Sequence, residues 1–179
     1  MKQKRKLKKT TFMILLAGIA FVLCLLLMRY FELSFMIYSN GADALDMTIG
    51  FDAKDVYGLL TDLGKEGRAI YIRVMAVDFI FIASFLYIQN FILKLAMGKL
   101  VHNHKWKYLL SVSYLRAFFD YIENGFILIL IFRFPTQLEE LAGLLSYITE
   151  IKFLWLIIWL ISIPVTICFR RFGSYNGLE

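Results

Sequence analysis

Residues 14–28 read ILLAGIAFVLCLLLM, an uncharged run that ends at Arg29. An α-helix needs about 20 mostly apolar residues to cross a hydrocarbon core roughly 30 Å thick. With its neighbours the run covers about residues 11–31, which is long enough to cross. It therefore predicts a transmembrane helix. Three later stretches are also long and mostly apolar, and they predict three more transmembrane helices at about residues 69–97, 108–134 and 151–169.

The composition of the whole chain also indicates a membrane protein. Of the 179 residues, 60% are hydrophobic and 19% are charged, whereas soluble domains have roughly 45–50% and about 25%. A chain this short leaves too much surface outside to hide the excess in one core. None of the four stretches shows the alternation typical of a membrane β-barrel. We therefore expect an all-α protein, a single transmembrane domain over residues 1–179 built as a four-helix bundle.

The basic residues predict how this bundle is oriented. Residues 2–9 read KQKRKLKK, four lysines (Lys94, Lys99, Lys105 and Lys107) lie at the end of the second helix and in the connection to the third, and Arg170 and Arg171 follow the fourth helix. The other two connections are acidic. Cytoplasmic loops of membrane proteins are rich in lysine and arginine, so both termini are expected in the cytoplasm of a multi-pass cell-membrane protein. Membrane lipids with anionic headgroups are a sufficient partner for the basic residues, and no nucleic-acid partner is expected.

The first outer connection, about residues 32–68, contains the pattern of a short amphipathic helix. Asp52 is placed to cap the start of this helix and Gly64 to end it. A similar short helix is expected within residues 135–149. The first helix should lie on the outer membrane surface or over the mouth of the bundle, either docked there or acting as a lid. Its apolar face is formed by side chains at helical spacing: Val56, Leu59, Leu60 and Leu63.

Ionisable side chains inside the third helix are the first indication of a functional site. Arg116, Asp120, Glu123 and Asn124 follow one another at spacings of four, three and one residues. At about 100° per residue, this spacing places all four within an arc of roughly 100°. Such a polar stripe is expected to face the interior of the bundle, because a charged side chain inside a membrane costs at least about 2.5–3.5 kcal/mol.

The second helix carries a matching stripe. Tyr71, Asp78 and Gln89 share a face, because residues seven and eleven apart return to nearly the same angle. The second and third helices run antiparallel, so Asp78, Asp120 and Glu123 fall at a similar depth. We expect these carboxyl groups to pair with one another or with other polar groups, or to line a wet cavity.

Three acids and one arginine inside the membrane do not balance in charge. At least one carboxyl group should therefore bind a proton or a cation, or meet a second arginine such as Arg68 or Arg73. Carboxylate and amide oxygens suit a hard divalent cation, but that is the less favoured alternative. His102 and His104 are two ligands in a lysine-rich loop and are too few for a zinc site. We predict neither a metal nor another cofactor.

Three hypotheses for function follow, and the sequence leaves open whether the protein is an enzyme. In the first, an acid-lined intramembrane cavity open to the outer leaflet binds a small amphiphilic or lipid-like molecule. In the second, the same acids carry protons or a cation in a transporter, for which four helices favour a homodimer. In the third, the chain is a non-catalytic accessory or immunity-type subunit, and the acids serve only packing.

The first hypothesis assigns roles to particular residues. If the bound molecule is transformed, Asp120 or Glu123 acts as the catalytic acid or base. The other polar side chains then line the cavity and position the ligand: Asp78, Arg116, Asn124, Tyr71 and Gln89.

Two patterns in this part of the chain resemble those of a known family. One is G-R-x-x-Y at residues 67–71 followed by Asp78, and the other is D-x-x-E-N at residues 120–124 followed by an apolar run and Pro135. Together, over roughly residues 50–155, they resemble small four-helix integral membrane proteins whose activity is uncharacterised. The resemblance implies four membrane helices and singles out the same acids, and it implies no activity.

Overall fold

The computed structural model describes the backbone of residues 2–175 and the side chains of residues 10–171. This part of the chain is all-helical and contains no strand, which confirms the predicted class. Short 3₁₀ turns lie in the connections at Leu45–Met47, Gly98–His102 and Tyr108–Leu110. The α-helices are α1 (Lys2–Tyr38), α2 (Ala53–Asp62), α3 (Gly64–Met97), α4 (His104–Lys107), α5 (Ser111–Arg133) and α6 (Glu139–Tyr175).

Within the described residues, three helical segments are long and apolar enough to cross a membrane: Thr10–Tyr38, Gly64–His102 and Glu139–Arg171. They cover the first, second and fourth stretches predicted from hydropathy. α5 covers the third stretch and is helical as predicted. It is not one of the three segments because Arg116, Asp120 and Glu123 lie within its length.

α6 begins earlier than predicted. The expectation of a separate short helix within residues 135–149 is wrong, because α6 is continuous from Glu139. The physical reason is that the inward face continues without a break through the predicted loop. Its side chains follow one another at spacings of three or four residues, and all are buried: Ala142, Leu145, Thr149 and Lys152.

α2 is the amphipathic helix predicted in the first outer connection. The Asp52 side chain accepts a hydrogen bond from the Asp55 backbone N–H, and the Asp55 side chain accepts one from the Asp52 N–H, each at 2.9 Å. Gly64 has φ +58, the left-handed conformation that ends a helix. The predicted apolar face is buried against α3, α5 and α6, so α2 is docked on the bundle: Val56, Leu59, Leu60 and Leu63.

The four long helices do not contact one another equally. α3, α5 and α6 pack together, and α1 packs along α3. One apolar cluster surrounds Tyr71 and Met75 of α3, and a second contains Leu93 and Met97. The stretch of α3 between these clusters, with the facing part of α5, contributes a layer of buried polar side chains.

The two ends of the bundle differ in charge. Arg170 Nη1 donates to the Leu95 carbonyl at 3.1 Å, which places the end of α6 beside the lysine-rich connection after α3. At the opposite end, the Leu138 N–H donates to the Tyr57 hydroxyl, which joins the two acidic connections. We call these the basic end and the acidic end. The basic side chains of residues 2–9 lie outside the described side chains.

Candidate functional site

The polar residues predicted from α3 and α5 lie together in the interior. All of them except Tyr71, which belongs to the first apolar cluster, lie in the buried polar layer between the two apolar clusters. We call this layer, together with Tyr71, the buried charge cluster. None of the seven is more than 6% exposed: Tyr71, Asp78, Gln89, Arg116, Asp120, Glu123 and Asn124.

Arg116 joins α5 to α3. Its Nη1 donates to Asp120 Oδ2 at 2.6 Å, and its Nε donates to Gln89 Oε1 at 2.9 Å. The guanidinium also lies over the Phe85 ring, 4.6 Å from the ring centroid. Its Nη2 has no hydrogen-bond partner among the described residues. Arg116 therefore holds the Asp120 carboxylate in place, and its Nη2 donor has no acceptor among the described residues.

Lys152 of α6 is the second cation of the cluster. Its Nζ lies 2.6 Å from Glu123 Oε2 and 3.6 Å from Asp120 Oδ1. The same nitrogen donates to the Asp46 main-chain carbonyl at 2.7 Å. The other carboxylate oxygen of Glu123, Oε1, accepts a hydrogen bond from Thr149 Oγ1 at 2.6 Å. The two cations thus compensate Asp120 and Glu123.

The prediction that Arg68 or Arg73 supplies the second cation is wrong. Arg68 donates to the Leu60 carbonyl and lies over the Phe134 ring, and Arg73 is exposed. Sequence reasoning missed Lys152 because it placed the start of the fourth helix at about residue 151, where a lysine looks interfacial. The 3–4 residue spacing that links it to Leu145 and Thr149 is the signal that would have found it.

Asp78 is paired differently from the other two predicted acids. The Asn124 Nδ2 donates to Asp78 Oδ2 at 2.6 Å, as expected from their similar depth. Among the described residues, no cation lies within 4.0 Å of Asp78. Asp78 therefore has a neutral amide as its partner, whereas Asp120 and Glu123 are ion-paired.

At the acidic end the buried charge cluster continues into the turn at residues 45–47. The Tyr71 hydroxyl donates to Asp46 Oδ1 at 3.0 Å and accepts from the Leu45 N–H at 2.9 Å. Asp46 is only 7% exposed. Burial raises the pKa of Asp46 above its ordinary value, against the opposing effects of Lys152 and the Tyr71 hydroxyl. Sequence reasoning missed Asp46, because no periodicity predicts the path of a loop.

A cavity of about 520 Å³ opens beside this turn, between α1 and α3. Most of its wall is apolar, and α1, the connection at residues 42–47 and α3 all contribute to it. Of the predicted site residues, Tyr71 alone lies in its wall; Asp120 and Glu123 belong to the packed cluster behind it. The polar residues lining the cavity are Arg29, Glu32, Asp43, Asp46 and Tyr71.

Among the described side chains, no group of three or more His, Cys, Asp or Glu residues is arranged to hold a metal ion. The oxygens of Asp120 and Glu123 face Arg116, Lys152 and Thr149 instead.

Comparison of the chain with known protein families, with curated proteins and with solved structures finds no match. The family resemblance of residues 50–155 therefore stays a prediction.

Proposed function

We propose that the chain crosses the membrane four times and that α5 is the remaining span. α5 has 23 residues, enough to cross a bilayer. Its charged side chains in mid-helix are buried in the protein and paired, so lipid would not meet them. Its outward face carries large apolar and aromatic side chains, each between 44% and 69% exposed: Tyr114, Phe118, Ile129 and Phe132.

Four spans place both termini on one side of the membrane, and the positive-inside rule makes that side the cytoplasm. The test is labelling of intact cells with a membrane-impermeant maleimide, after both native cysteines are replaced by alanine. We expect Ile49→Cys to be labelled and Asn103→Cys and Arg171→Cys to be protected. If α5 does not cross, α6 ends outside and Arg171→Cys is labelled, which would refute the four-span proposal.

We further propose that the cavity at the acidic end binds a small amphiphilic molecule from the outer leaflet. The observation that carries this proposal is the composition of the cavity wall, which is mostly apolar and has a few polar side chains on α1, on α3 and in the connection at residues 42–47. Ligand sites are typically concave, mostly apolar and supplied with a few polar groups, with volumes of about 300–1,000 Å³. A cavity of about 520 Å³ falls within this range.

In this proposal the buried charge cluster positions the turn at residues 45–47 rather than acting on the ligand. Lys152 holds the carbonyl of Asp46, and Tyr71 holds its carboxylate. Asp120 and Glu123 lie outside the cavity wall, and each is paired with a cation. We therefore propose them as positioning residues, and the function as binding without a chemical step.

Cavity filling tests this proposal. The protein, in phosphatidylcholine nanodiscs, is offered dodecyl amphiphiles with neutral, cationic and anionic heads, and bound molecules are counted by native mass spectrometry. At least one should bind saturably, one per chain. Ala42→Trp, in the cavity wall, should abolish binding, whereas Ile49→Trp, exposed on the same connection outside the cavity, should not. Absence of saturable binding, or binding that survives Ala42→Trp, would refute the proposal.

Proton-coupled transport is the second candidate. It is favoured by a continuous series of polar contacts, which we call the file. The residues of the file, in order, are Asp46, Lys152, Asp120, Arg116 and Gln89. Beyond Gln89 the interior is occupied by an apolar cluster that contains Leu93, Met97, Val112 and Trp159. That cluster separates the file from the basic end, which is why binding is preferred. Proton uptake into proteoliposomes that Glu123→Gln abolishes would favour transport instead.

A further inference from the structure

We infer that the amphiphile bound in the cavity carries a cationic, organic ammonium head group. This inference rests on the proposed function, because it names the ligand class of the same cavity. It is drawn from the charges in the cavity wall and from the way each charge is already paired.

The polar end of the cavity has an uncompensated negative charge. Its wall contains three carboxylates and one guanidinium. Arg29 Nη1 lies 2.8 Å from Glu32 Oε2, so these two charges compensate each other. Among the described residues, no cation lies within 4.0 Å of the carboxylate of Asp43 or Asp46. Two carboxyl groups in the cavity wall therefore have no ion-pair partner.

Asp46 is positioned to recognise a cation. It is buried, and its carboxylate has one neutral partner, the Tyr71 hydroxyl on Oδ1. Lys152 is close, but its Nζ is hydrogen-bonded to the Asp46 main-chain carbonyl and to Glu123. A carboxylate with little solvent and no cation partner gains more from an incoming ammonium group than an exposed one does.

The aromatic residues of the wall favour the same head group. Phe35 and Tyr71 both line the cavity as a buried edge-to-face pair, with ring centroids 5.0 Å apart. The faces of aromatic rings attract cations, and quaternary ammonium ligands are commonly recognised in this way. An anionic head would meet Asp43 and Asp46 with no free cation in the wall. A neutral head would find acceptors without charge complementarity.

The test compares head groups at constant tail length. Dodecylammonium, dodecyl maltoside and dodecyl sulfate are titrated against the protein in neutral nanodiscs. The wild type should bind dodecylammonium about tenfold or more tightly than dodecyl maltoside. Asp43→Asn and Asp46→Asn should each reduce this preference and leave maltoside binding in place. Asp62→Asn is the matched control, since it removes an exposed acid from the same end but outside this cavity.

The outcomes separate this inference from the proposed function. Equal binding of cationic and neutral heads, or a preference that survives Asp43→Asn with Asp46→Asn, would overturn the ammonium assignment alone. A preference lost equally in Asp62→Asn would also overturn it, because general surface charge would then be the cause. Failure of every amphiphile to bind would overturn the proposed function as well.

Discussion

Lys152 compensates two buried carboxylates, Glu123 at 2.6 Å and Asp120 at 3.6 Å. Removing one partner of a buried ion pair leaves an uncompensated charge and typically costs about 3–5 kcal/mol. We therefore expect Lys152→Met to destabilise the protein by about that amount, measured by thermal or denaturant unfolding in micelles. Glu123→Gln in the same chain should restore part of the loss, because it removes the stranded charge. No loss in Lys152→Met would contradict the pairing.

Asp46 gives a prediction about pH. Because burial raises the pKa of Asp46, the folded state binds its proton more readily than the unfolded state does. The resulting contribution to stability is present below the unfolded value, about 3.9, and is lost as the pH rises through the raised folded value.

Asp46→Asn, which keeps an acceptor for Tyr71, should consequently gain stability relative to wild type as the pH rises through this window. Unfolding midpoints of the two proteins across pH check this, with Asp62→Asn as the control. A relative loss of stability with rising pH would contradict the sign. The same variant should bind dodecylammonium less tightly, so reduced binding could not be attributed to unfolding.

The single residues of the site differ in how far sequence could predict them. Helical periodicity and the antiparallel direction of the helices predict that Asp78 lies at the depth of Asp120 and Glu123. In the structure, Asp78 accepts a hydrogen bond of 2.6 Å from Asn124, the residue after Glu123. To predict that Lys152 is buried, one would have to know that α6 starts at Glu139. To predict Asp46, one would have to know the path of the connection after α1. That path depends on tertiary contacts with Tyr71 and Lys152, which no pattern in the sequence indicates.

Among the elements, α2 shows what local signals predict well. Its start depends on a reciprocal hydrogen-bond pair between residues 52 and 55, and its end on a glycine with positive φ. Both signals act within one turn of helix, so sequence alone identified them. The short helix expected within residues 135–149 is instead the first part of α6, because its buried face continues through Thr149 to Lys152. The glutamates at 139 and 140 suit the first turn of a helix.

Asp52→Ala tests the contribution of the cap to α2. Loss of an N-cap side chain costs about 0.5–2 kcal/mol, and here the loss should fall on α2 first. Hydrogen exchange of residues 53–62 should become faster, while the interior of α3 should change little. Lys54→Ala, an exposed neighbour without a capping contact, should leave the exchange unchanged. Equal exchange in Asp52→Ala and wild type would mean that docking alone holds this helix.

At the scale of the whole molecule, hydropathy predicted the three helices that are long and apolar enough to cross a membrane. It could not predict which helices are central. α5 is the most charged of the four in its middle, and it packs between α3 and α6. α1 has no charged side chain between Thr10 and Met28, and most of its side chains there are exposed. The charged side chains in the middle of α5 therefore mark the interior of the helix packing, because the interior supplies their partners.

Replacing the charged residues of the buried charge cluster together distinguishes their effect on stability from their effect on binding. A well-packed apolar substitute for a buried ion-pair network is often neutral or stabilising by about 1–4 kcal/mol. We expect a combined variant to unfold at the same temperature as wild type or higher. It replaces the two cations and the two acids that they pair with by residues of similar volume: Arg116→Met, Asp120→Leu, Glu123→Met and Lys152→Met.

Amphiphile binding by this combined variant should nevertheless weaken, because the carbonyl of Asp46 loses its hydrogen bond from Lys152 and the turn at residues 45–47 is no longer held at the cavity wall. Native mass spectrometry in nanodiscs measures the binding, and Ile49→Trp controls for handling. If the variant is stable and binds as wild type does, the cluster serves packing alone. The hypothesis of an accessory subunit would then account for the buried acids better than a positioning role does.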